Sequence, residues 1–202
     1  MANQKQLKVL KQGVKVWNKW RKENPKAIID LSAAELEGSD LMRVNLEGAN
    51  LSETNLNRAN LTRAKLIGAN LRKTKLHSSI LFEANLSRAN LNRVNLGEAD
   101  LNDTNLSGAD LKKAILMGAD LLGANFVDAN LSGASLSAAR LSVTDFTNAN
   151  LQKVDLTGAD LQYVVLGGAD LSGSILSSTT FASIDLSTTK GLDKIIHESP
   201  LM

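Results

Sequence analysis

The sequence predicts an all-β solenoid with four sides, and three regularities in its 202 residues support that prediction. From Leu31 to Leu186 every fifth residue is Leu or Phe, which gives 32 consecutive pentads without an insertion. The residue two places before each central Leu or Phe is small or β-branched, most often Ala. The residue directly before the centre is Asn or Asp in 22 of the 32 pentads, so one repeating unit accounts for most of the chain.

A five-residue period excludes a long helix and fits short strand segments separated by turns. In a helix each successive Leu would move by about 140° around the axis, so no apolar face would form. In a strand the central residue and the residue two before it share one face, while the Asn or Asp between them points away. Gly, which tolerates positive φ, stands two places after the centre in ten pentads and marks the turn. If each pentad turns the chain by a right angle, four pentads close a coil and 32 give eight coils.

This array resembles the pentapeptide-repeat family, and the resemblance covers residues 29–188. Arrays of this kind are especially abundant in cyanobacteria. The resemblance implies a right-handed quadrilateral β-helix with the central Leu or Phe and the preceding small residue inside. Residues twenty apart should then lie in one column, so that Phe126 and Phe146 stack directly. The expected structural core includes Leu51, Leu71, Leu91, Leu111, Phe126, Phe146 and Phe181.

The composition divides the chain into a basic leader at residues 1–26, the repeat array at residues 27–189 and a tail at residues 190–202. The leader contains eight Lys or Arg and one acid, whereas the remaining chain contains fifteen and twenty. A formal net charge of +2 therefore conceals a basic end on a mildly acidic body. The chain lacks Cys, a signal-peptide pattern and any apolar stretch of the ~20 residues that span a bilayer, so we expect a cytoplasmic protein.

The leader has the apolar periodicity of a helix. Apolar residues spaced by three or four positions predict one amphipathic helix over residues 4–23, which Asn24 and Pro25 should end. We expect this helix to cap the first coil, because an open solenoid end exposes apolar side chains and unpaired strand edges. The alternative is a helix that binds a membrane surface or a partner, with Trp17 and Trp20 as interfacial anchors.

The tail contains a second candidate cap. Gly191 breaks the array, and Leu192, Ile195 and Ile196 predict a short helical turn that shields the last coil or meets a second copy. The family resemblance implies dimerisation through this end. A monomer and a homodimer joined through a terminal cap are therefore both compatible with the sequence.

The residue inventory argues against an enzyme. The two histidines are His77, expected to be exposed on a flat side, and His197 in the tail, so no pair is placed for a metal or a proton relay. The Ser and Asp residues recur as elements of the repeat. The chain has no phosphate-binding Gly loop, and an interior filled by its own side chains leaves no cavity for a cofactor. We expect no catalytic residues, no metal, no cofactor and no small-molecule substrate.

Two outward-facing features are candidate interaction surfaces. Lys73, Arg93 and Lys113 should stack in one column and face an acidic partner or a phosphate backbone, although a solvated charged side is the simpler interpretation. Val143 and Tyr163 should stack in another column and form an exposed apolar patch. Scattered exposed apolar residues are common in proteins, so the second pattern alone does not establish a contact.

These features favour a non-catalytic scaffold that acts through contacts with an unidentified protein partner. The competing interpretation is a DNA mimic or a topoisomerase-interacting protein, since the family resemblance implies that activity for some strongly acidic members. Residues 114–189 carry seven Asp against two basic residues, but the carboxylates are spread over all four sides. Membrane-surface association through the leader is the third interpretation.

Overall fold

The computed structural model describes residues 1–196, so His197 and the five residues after it lie outside the described part. Two helices come first, the repeat array follows, and a short helical turn is the last element. In chain order the elements are α1 at Gln4–Leu10, α2 at Val14–Glu23, β1 at Asp160–Gln162, β2 at Thr180–Ala182 and a 3-10 helix at Leu192–Lys194.

Parallel bridges between residues twenty positions apart join the turns of the chain into one ladder. Asp30 pairs with Asn50, and the same step recurs along the array. The amide of Leu31 donates to the carbonyl of Asn50 at 2.8 Å, and the amide of Asn50 donates to the carbonyl of Ile29 at 2.9 Å. Twenty residues are four pentads, so the predicted four-sided coil and the stack of eight coils are confirmed.

We number the four sides by the central residue that each has in the first coil. Later residues of a side follow at intervals of twenty, so positions in the sequence translate directly into columns along the rod. The first, second, third and fourth sides begin at Leu31, Leu36, Leu41 and Leu46, respectively.

A tight turn joins each side to the next. The amide of Ala34 donates to the carbonyl of Leu31 at 3.2 Å, and Ala33, two places after the centre, has a φ of 54°. The Asp before the centre supports this turn, because Asp30 Oδ1 accepts a hydrogen bond from the amide of Ser32 at 3.0 Å. Gly adopts positive φ without strain, yet 21 described residues other than Gly also have positive φ. Backbone strain is therefore distributed along the whole array.

The interior is a continuous apolar column. The predicted core residues of four successive coils are fully buried, namely Leu51, Leu71, Leu91 and Leu111. Phe126 and Phe146 occupy adjacent coils of the fourth side and stack with ring centroids 5.0 Å apart. Buried Thr residues also face inward, and the hydroxyl of Thr54 donates to the carbonyl of Leu31 in the preceding coil at 2.8 Å. The few polar side chains of the core thus form hydrogen bonds with backbone carbonyls inside the stack of coils.

The prediction that Phe181 belongs to the buried core is wrong, because 43% of this residue is exposed. Leu186, the next central residue, is 37% exposed. Beyond them the chain pairs with the first and second sides, through Lys190 and Ile196. No described residue forms a further coil over the third and fourth sides. The predicted helical turn is present at Leu192–Lys194, but it leaves this half of the end open.

The leader folds into two helices, so the prediction of a single helix over residues 4–23 is wrong. Gly13 separates the helices with a φ of 111°, a conformation that L side chains rarely adopt. Asn3 caps the start of α1, since its Oδ1 accepts from the amides of Lys5 and Gln6. The break at Gly13 allows α1 to contact the first side while α2 contacts the fourth.

Side-chain amides of the two helices cap the first coil. Gln6 donates to the carbonyl of Ile28 at 2.8 Å and accepts from the amide of Asp30 at 2.9 Å, as a neighbouring strand would. Asn18 accepts from the amide of Asn45 at 2.9 Å on the fourth side. The N-terminal helical cap is therefore present, and its apolar side chains Leu7, Leu10 and Trp17 join the core.

Candidate interaction surfaces

The structure places the predicted basic column at the turn between the first and second sides. Lys73, Arg93 and Lys113 occupy successive coils, and the amide of Arg93 donates to the carbonyl of Lys112 at 3.0 Å. All of these side chains are exposed. Together with neighbouring exposed cations they form a basic strip, defined as Arg72, Lys73, Arg93, Lys112, Lys113 and Lys153.

Most of the basic strip has no counter-ion in the described part of the chain. Lys73 pairs with Glu53 Oε1 at 3.3 Å, and no other member of the strip makes an ion pair within residues 1–196. Elsewhere the array places an acid one coil away from a cation, as where Arg63 contacts Glu83 at 2.6 Å. The hydrogen bond from Arg63 lowers the pKa of the Glu83 carboxyl. Arg43, Lys65, Lys75 and Arg88 also lack an ion pair in the described part of the chain, so what distinguishes the strip is that its unpaired cations are stacked in successive coils.

A glycine interrupts the basic strip. Gly133 lies between Lys113 and Lys153 in the column, and a shallow recess of about 320 Å³ opens beside it. The sequence predicted the column that contains Lys113 but not this recess. A single Gly between Lys113 and Lys153, at steps of twenty residues, was the signal that could have indicated it. The recess is lined by Lys112, Lys113, Ser132, Gly133, Gln152 and Lys153.

Val143, Tyr163 and Val165 form an apolar patch where the third side meets the fourth. They are 56%, 59% and 49% exposed, respectively. The amide of Val143 donates to the carbonyl of Gln162 at 3.0 Å, so Val143 and Tyr163 belong to adjacent coils. A shallow recess of about 380 Å³ lies beside Tyr163 and extends to Asp185. The apolar patch and the basic strip are half a coil apart, which places them at opposite corners of the rod.

Trp17 is not placed as the interfacial anchor of the alternative interpretation of the leader. Its side chain is fully buried, and its Nε1 donates to the carbonyl of Asn45 at 2.8 Å. Trp20 is half-buried and stacks on Trp17 with ring centroids 5.4 Å apart. Because the apolar side of the leader already packs on the first coil, insertion of these indoles into a membrane interface would require the cap to detach. The leader instead exposes cations, namely Lys5, Lys8, Lys11, Lys15, Lys19, Lys22 and Lys26.

His77 lies on the second side, half-buried beside two other polar residues. Glu98 Oε2 is 3.7 Å from His77 Nε2 and accepts a hydrogen bond from Ser78 Oγ at 3.4 Å. In a catalytic triad the histidine stands between the hydroxyl and the acid, whereas here the carboxylate stands between histidine and hydroxyl. These three residues therefore lack the geometry that activates a serine.

Two further properties concern residues 1–196 as a whole. No group of three or more His, Asp or Glu side chains in this range is placed to hold a metal ion. None of the helices in the same range is long and apolar enough to cross a bilayer.

A family model agrees with the repeat seen in the sequence and in the coils. The model for pentapeptide repeats matches the chain in eight copies, over residues 39–77, 84–123, 124–162 and 155–190. No curated protein matches the chain significantly.

Several solved structures are similar to this chain. One is HetL from the cyanobacterium Nostoc sp. strain PCC 7120, a pentapeptide repeat protein involved in heterocyst differentiation regulation. HetL is 30% identical to this chain. The match covers 84% of this chain and 87% of HetL, with a TM-score of 0.37. Rfr23 from the cyanobacterium Cyanothece 51142 is 31% identical. The match covers 52% of this chain and 60% of Rfr23, with a TM-score of 0.26. QnrB1, a plasmid-mediated fluoroquinolone resistance protein, is 16% identical. The match covers 81% of this chain and 91% of QnrB1, with a TM-score of 0.42. Because the family model spans most of the array, this chain belongs to the pentapeptide-repeat family, and its fold is the right-handed β-solenoid of that family.

Proposed function

We propose that this protein is a non-catalytic scaffold that acts by binding another protein, and that the apolar patch is the contact surface. The observation that carries this proposal is the position of Val143, Tyr163 and Val165. They occupy outward positions of adjacent coils, where they add nothing to the packed interior. Contiguous apolar surface exposed to water is typical of sites that bind another macromolecule.

The backbone conformation of the patch supports a role outside folding. Val143 has a φ of 62° and Tyr163 a φ of 58°, which is strained for a bulky or β-branched residue. Gly123 occupies the same column one coil before Val143 and adopts a φ of 69° without that strain. A sequence selected for stability alone would favour Gly or Asn at both positions. Contact with a partner gives a reason for the apolar side chains.

The surroundings of the polar side chains support the non-catalytic part of the proposal. Glu98 separates His77 from Ser78, so the histidine is not placed to take the proton of the hydroxyl. The central Leu and Phe side chains fill the interior of the coils. The described surface recesses are shallow and open, whereas a small-molecule site encloses most of its ligand.

The open end of the array supports a second contact, between two copies of the chain. Phe181 and Leu186 are partly exposed on the third and fourth sides, where no described coil follows. A homodimer that joins these ends would cover both side chains and pair the strand edges. Sedimentation velocity over a range of concentrations should show a dimer that Phe181→Ser weakens. A chain that sediments as a monomer at every concentration would contradict this contact.

The apolar patch can be tested by affinity capture from native extract with the full chain as bait. Tyr163→Asn removes the largest apolar side chain and keeps the fold, because Asn tolerates the left-handed conformation. Met117→Gln is the matched control, since Met117 is also apolar and exposed but lies on the second side. We expect a specific protein to remain bound at high salt, to be lost with Tyr163→Asn and to be retained with Met117→Gln.

Three results would contradict the proposal in different ways. Equal capture by Tyr163→Asn and the unchanged chain would exclude the patch as the contact. Recovery only of nucleic acid or of a topoisomerase, removed by salt, would favour the alternative of a DNA mimic. Lipid-associated recovery without a protein would favour attachment through the cationic leader.

A further inference from the structure

We propose that the basic strip is a second binding site, which takes an acidic segment of another protein along the rod. The site does not depend on the apolar patch, because the two surfaces are half a coil apart at opposite corners.

Stacking within the strip places like charges next to one another. Lys73, Arg93 and Lys113 lie in hydrogen-bonded successive coils, and Lys112 precedes Lys113 on the same side. Coils in such a ladder are separated by roughly 4.8 Å, a distance at which like-charged neighbours destabilise a sheet. The repeat tolerates Glu, Asp, Asn or Gly at the same turn position, as Glu53 and Gly133 show. Folding alone therefore gives no reason for a run of cations.

Acidic residues on the first side do not neutralise the cations of the strip. Across the coils that contain it, Asp110 is the single acid on this side. Asp110 Oδ1 accepts from the amide of Lys112 at 3.2 Å and from Asn130 Nδ2 at 3.3 Å, so this oxygen supports the local turn and the Asn ladder. Glu53 at the N-terminal end pairs with Lys73. The remaining cations are available to carboxylates supplied from outside.

The dimensions of the strip fit a short peptide. Four coil spacings separate Lys73 from Lys153, which corresponds to about 19 Å. About six residues of extended chain cover that length. The recess at Gly133 adds room for a side chain or a backbone turn at the middle of the Lys113 to Lys153 interval. Ile115, which is exposed two residues beyond Lys113, offers an apolar contact next to the charges.

The surroundings favour a peptide over nucleic acid. Single-stranded nucleic acid binders stack bases on aromatic side chains, yet the described aromatic residues outside the core and the leader, Phe82, Tyr163 and Phe181, all lie on the third side. The strip is also narrow, since Asp110 lies at one edge and Asp155 lies on the adjoining second side. A wide polyanion would meet these carboxylates, whereas a single peptide strand can follow the column of cations.

The probe for this site is a fluorescein-labelled oligo-glutamate of about eight residues, with oligo-glutamine and single-stranded DNA of equal length as comparison probes. Fluorescence anisotropy with the full chain at low ionic strength would give each dissociation constant. We expect oligo-glutamate to bind more tightly than DNA and oligo-glutamine to show no binding. Rising salt should weaken the interaction.

The variant Lys113→Gly/Lys153→Gly removes two cations from the strip and preserves the fold, because both lysines have a φ near 57° that Gly adopts without strain. The dissociation constant for oligo-glutamate should rise at least about fivefold. Arg88→Gly is the matched control, since Arg88 is exposed with the same φ but lies at the turn between the fourth and first sides. It should leave the constant within about twofold. An equal effect of the control, tighter binding of DNA, or no binding of oligo-glutamate would overturn the proposal.

Discussion

The indole Nε1 of Trp17 donates a hydrogen bond of 2.8 Å to the backbone carbonyl of Asn45. This bond joins helix α2 to the edge of the first coil, which has no preceding coil to pair with. Trp17 thus supplies both a donor to the strand edge and an apolar ring over the open interior. The leader is therefore a structural part of the solenoid.

Replacing Trp17 should weaken the fold more than the same replacement at Trp20. Trp17→Phe leaves the carbonyl of Asn45 without this donor and reduces the buried volume, which should lower the free energy of unfolding by about 1 to 3 kcal/mol. Trp20→Phe is the control, because no hydrogen bond from the Trp20 indole reaches another described residue. Denaturant unfolding of both variants measures the difference. Equal losses would contradict a capping role for the Trp17 hydrogen bond.

Phe126 and Phe146 should be energetically coupled across adjacent coils. Their stacked rings predict a coupling free energy of about 0.5 to 1.5 kcal/mol in a double-mutant cycle that uses Phe126→Leu and Phe146→Leu. Leu is the suitable replacement because it occupies this inner position in most other pentads. A cycle of Phe146→Leu with Leu86→Val, three coils away on the same side, should be additive. Additivity of the two Phe substitutions would show that the stack contributes only independent burial.

Neighbouring alanines should respond in opposite ways to replacement by Gly. Ala138 occupies a turn with a φ of 55°, so Ala138→Gly relieves strain that offsets the greater flexibility of Gly in the unfolded chain. Ala139 is buried at the inner position, and Ala139→Gly removes packing as well as adding that flexibility. The free energy of unfolding should differ by about 1 to 2 kcal/mol between the two variants, with Ala139→Gly less stable. Similar values would contradict the assignment of strain to the turn.

Acid should weaken the array at Asp170. Hydrogen bonds from the Ser172 hydroxyl at 2.6 Å and from Gln152 at 2.5 Å lower the pKa of this carboxyl. A carboxyl with a depressed pKa in the folded state stabilises the fold above its unfolded pKa of about 4, and the contribution is lost as the pH falls through the lower folded pKa. Asp170→Asn should therefore be less stable than the unchanged chain at neutral pH.

The pH dependence separates this effect from a simple loss of packing. The stability difference caused by Asp170→Asn should shrink as the pH falls from about 5 to below 3, when the native carboxyl becomes protonated. Ser172→Ala, which removes the principal hydroxyl donor, should reproduce part of the neutral-pH loss. Urea unfolding at several pH values measures both variants. A difference that stays constant over this range would contradict the role of the charge.

The period of five was sufficient to predict the coils, because one strand-turn unit explains every central residue from Leu31 onward. The same period could not show that Phe181 is exposed, since its burial depends on whether another coil follows. The helical pattern of the leader likewise could not distinguish Trp17 from Trp20. The break at Gly13 sets how α2 lies on the first coil, and only one indole then reaches the carbonyl of Asn45.

The sequence was sufficient to predict which residues of the candidate surfaces lie in one column. It could not predict the ion pairs and recesses around those residues. A twenty-residue step is enough to place Lys73 beside Arg93 and Val143 beside Tyr163. Which cations lack a counter-ion depends on side-chain reach, as the pairing of Lys73 with Glu53 shows. The recess at Gly133 depends on the side chains in the adjacent coils, which a one-dimensional pattern does not describe.

The twenty-residue coil also sets the unit in which this chain can change its length during evolution. Deletion of one pentad between Gly133 and Lys153 would keep a Leu or Phe at every central position, but it would move each later residue back by one side. Lys153 would then leave the column of Lys113. Deletion of four pentads would shorten the rod by one coil and keep every column in place. Whole-coil insertions and deletions are therefore those that preserve the columns of surface residues.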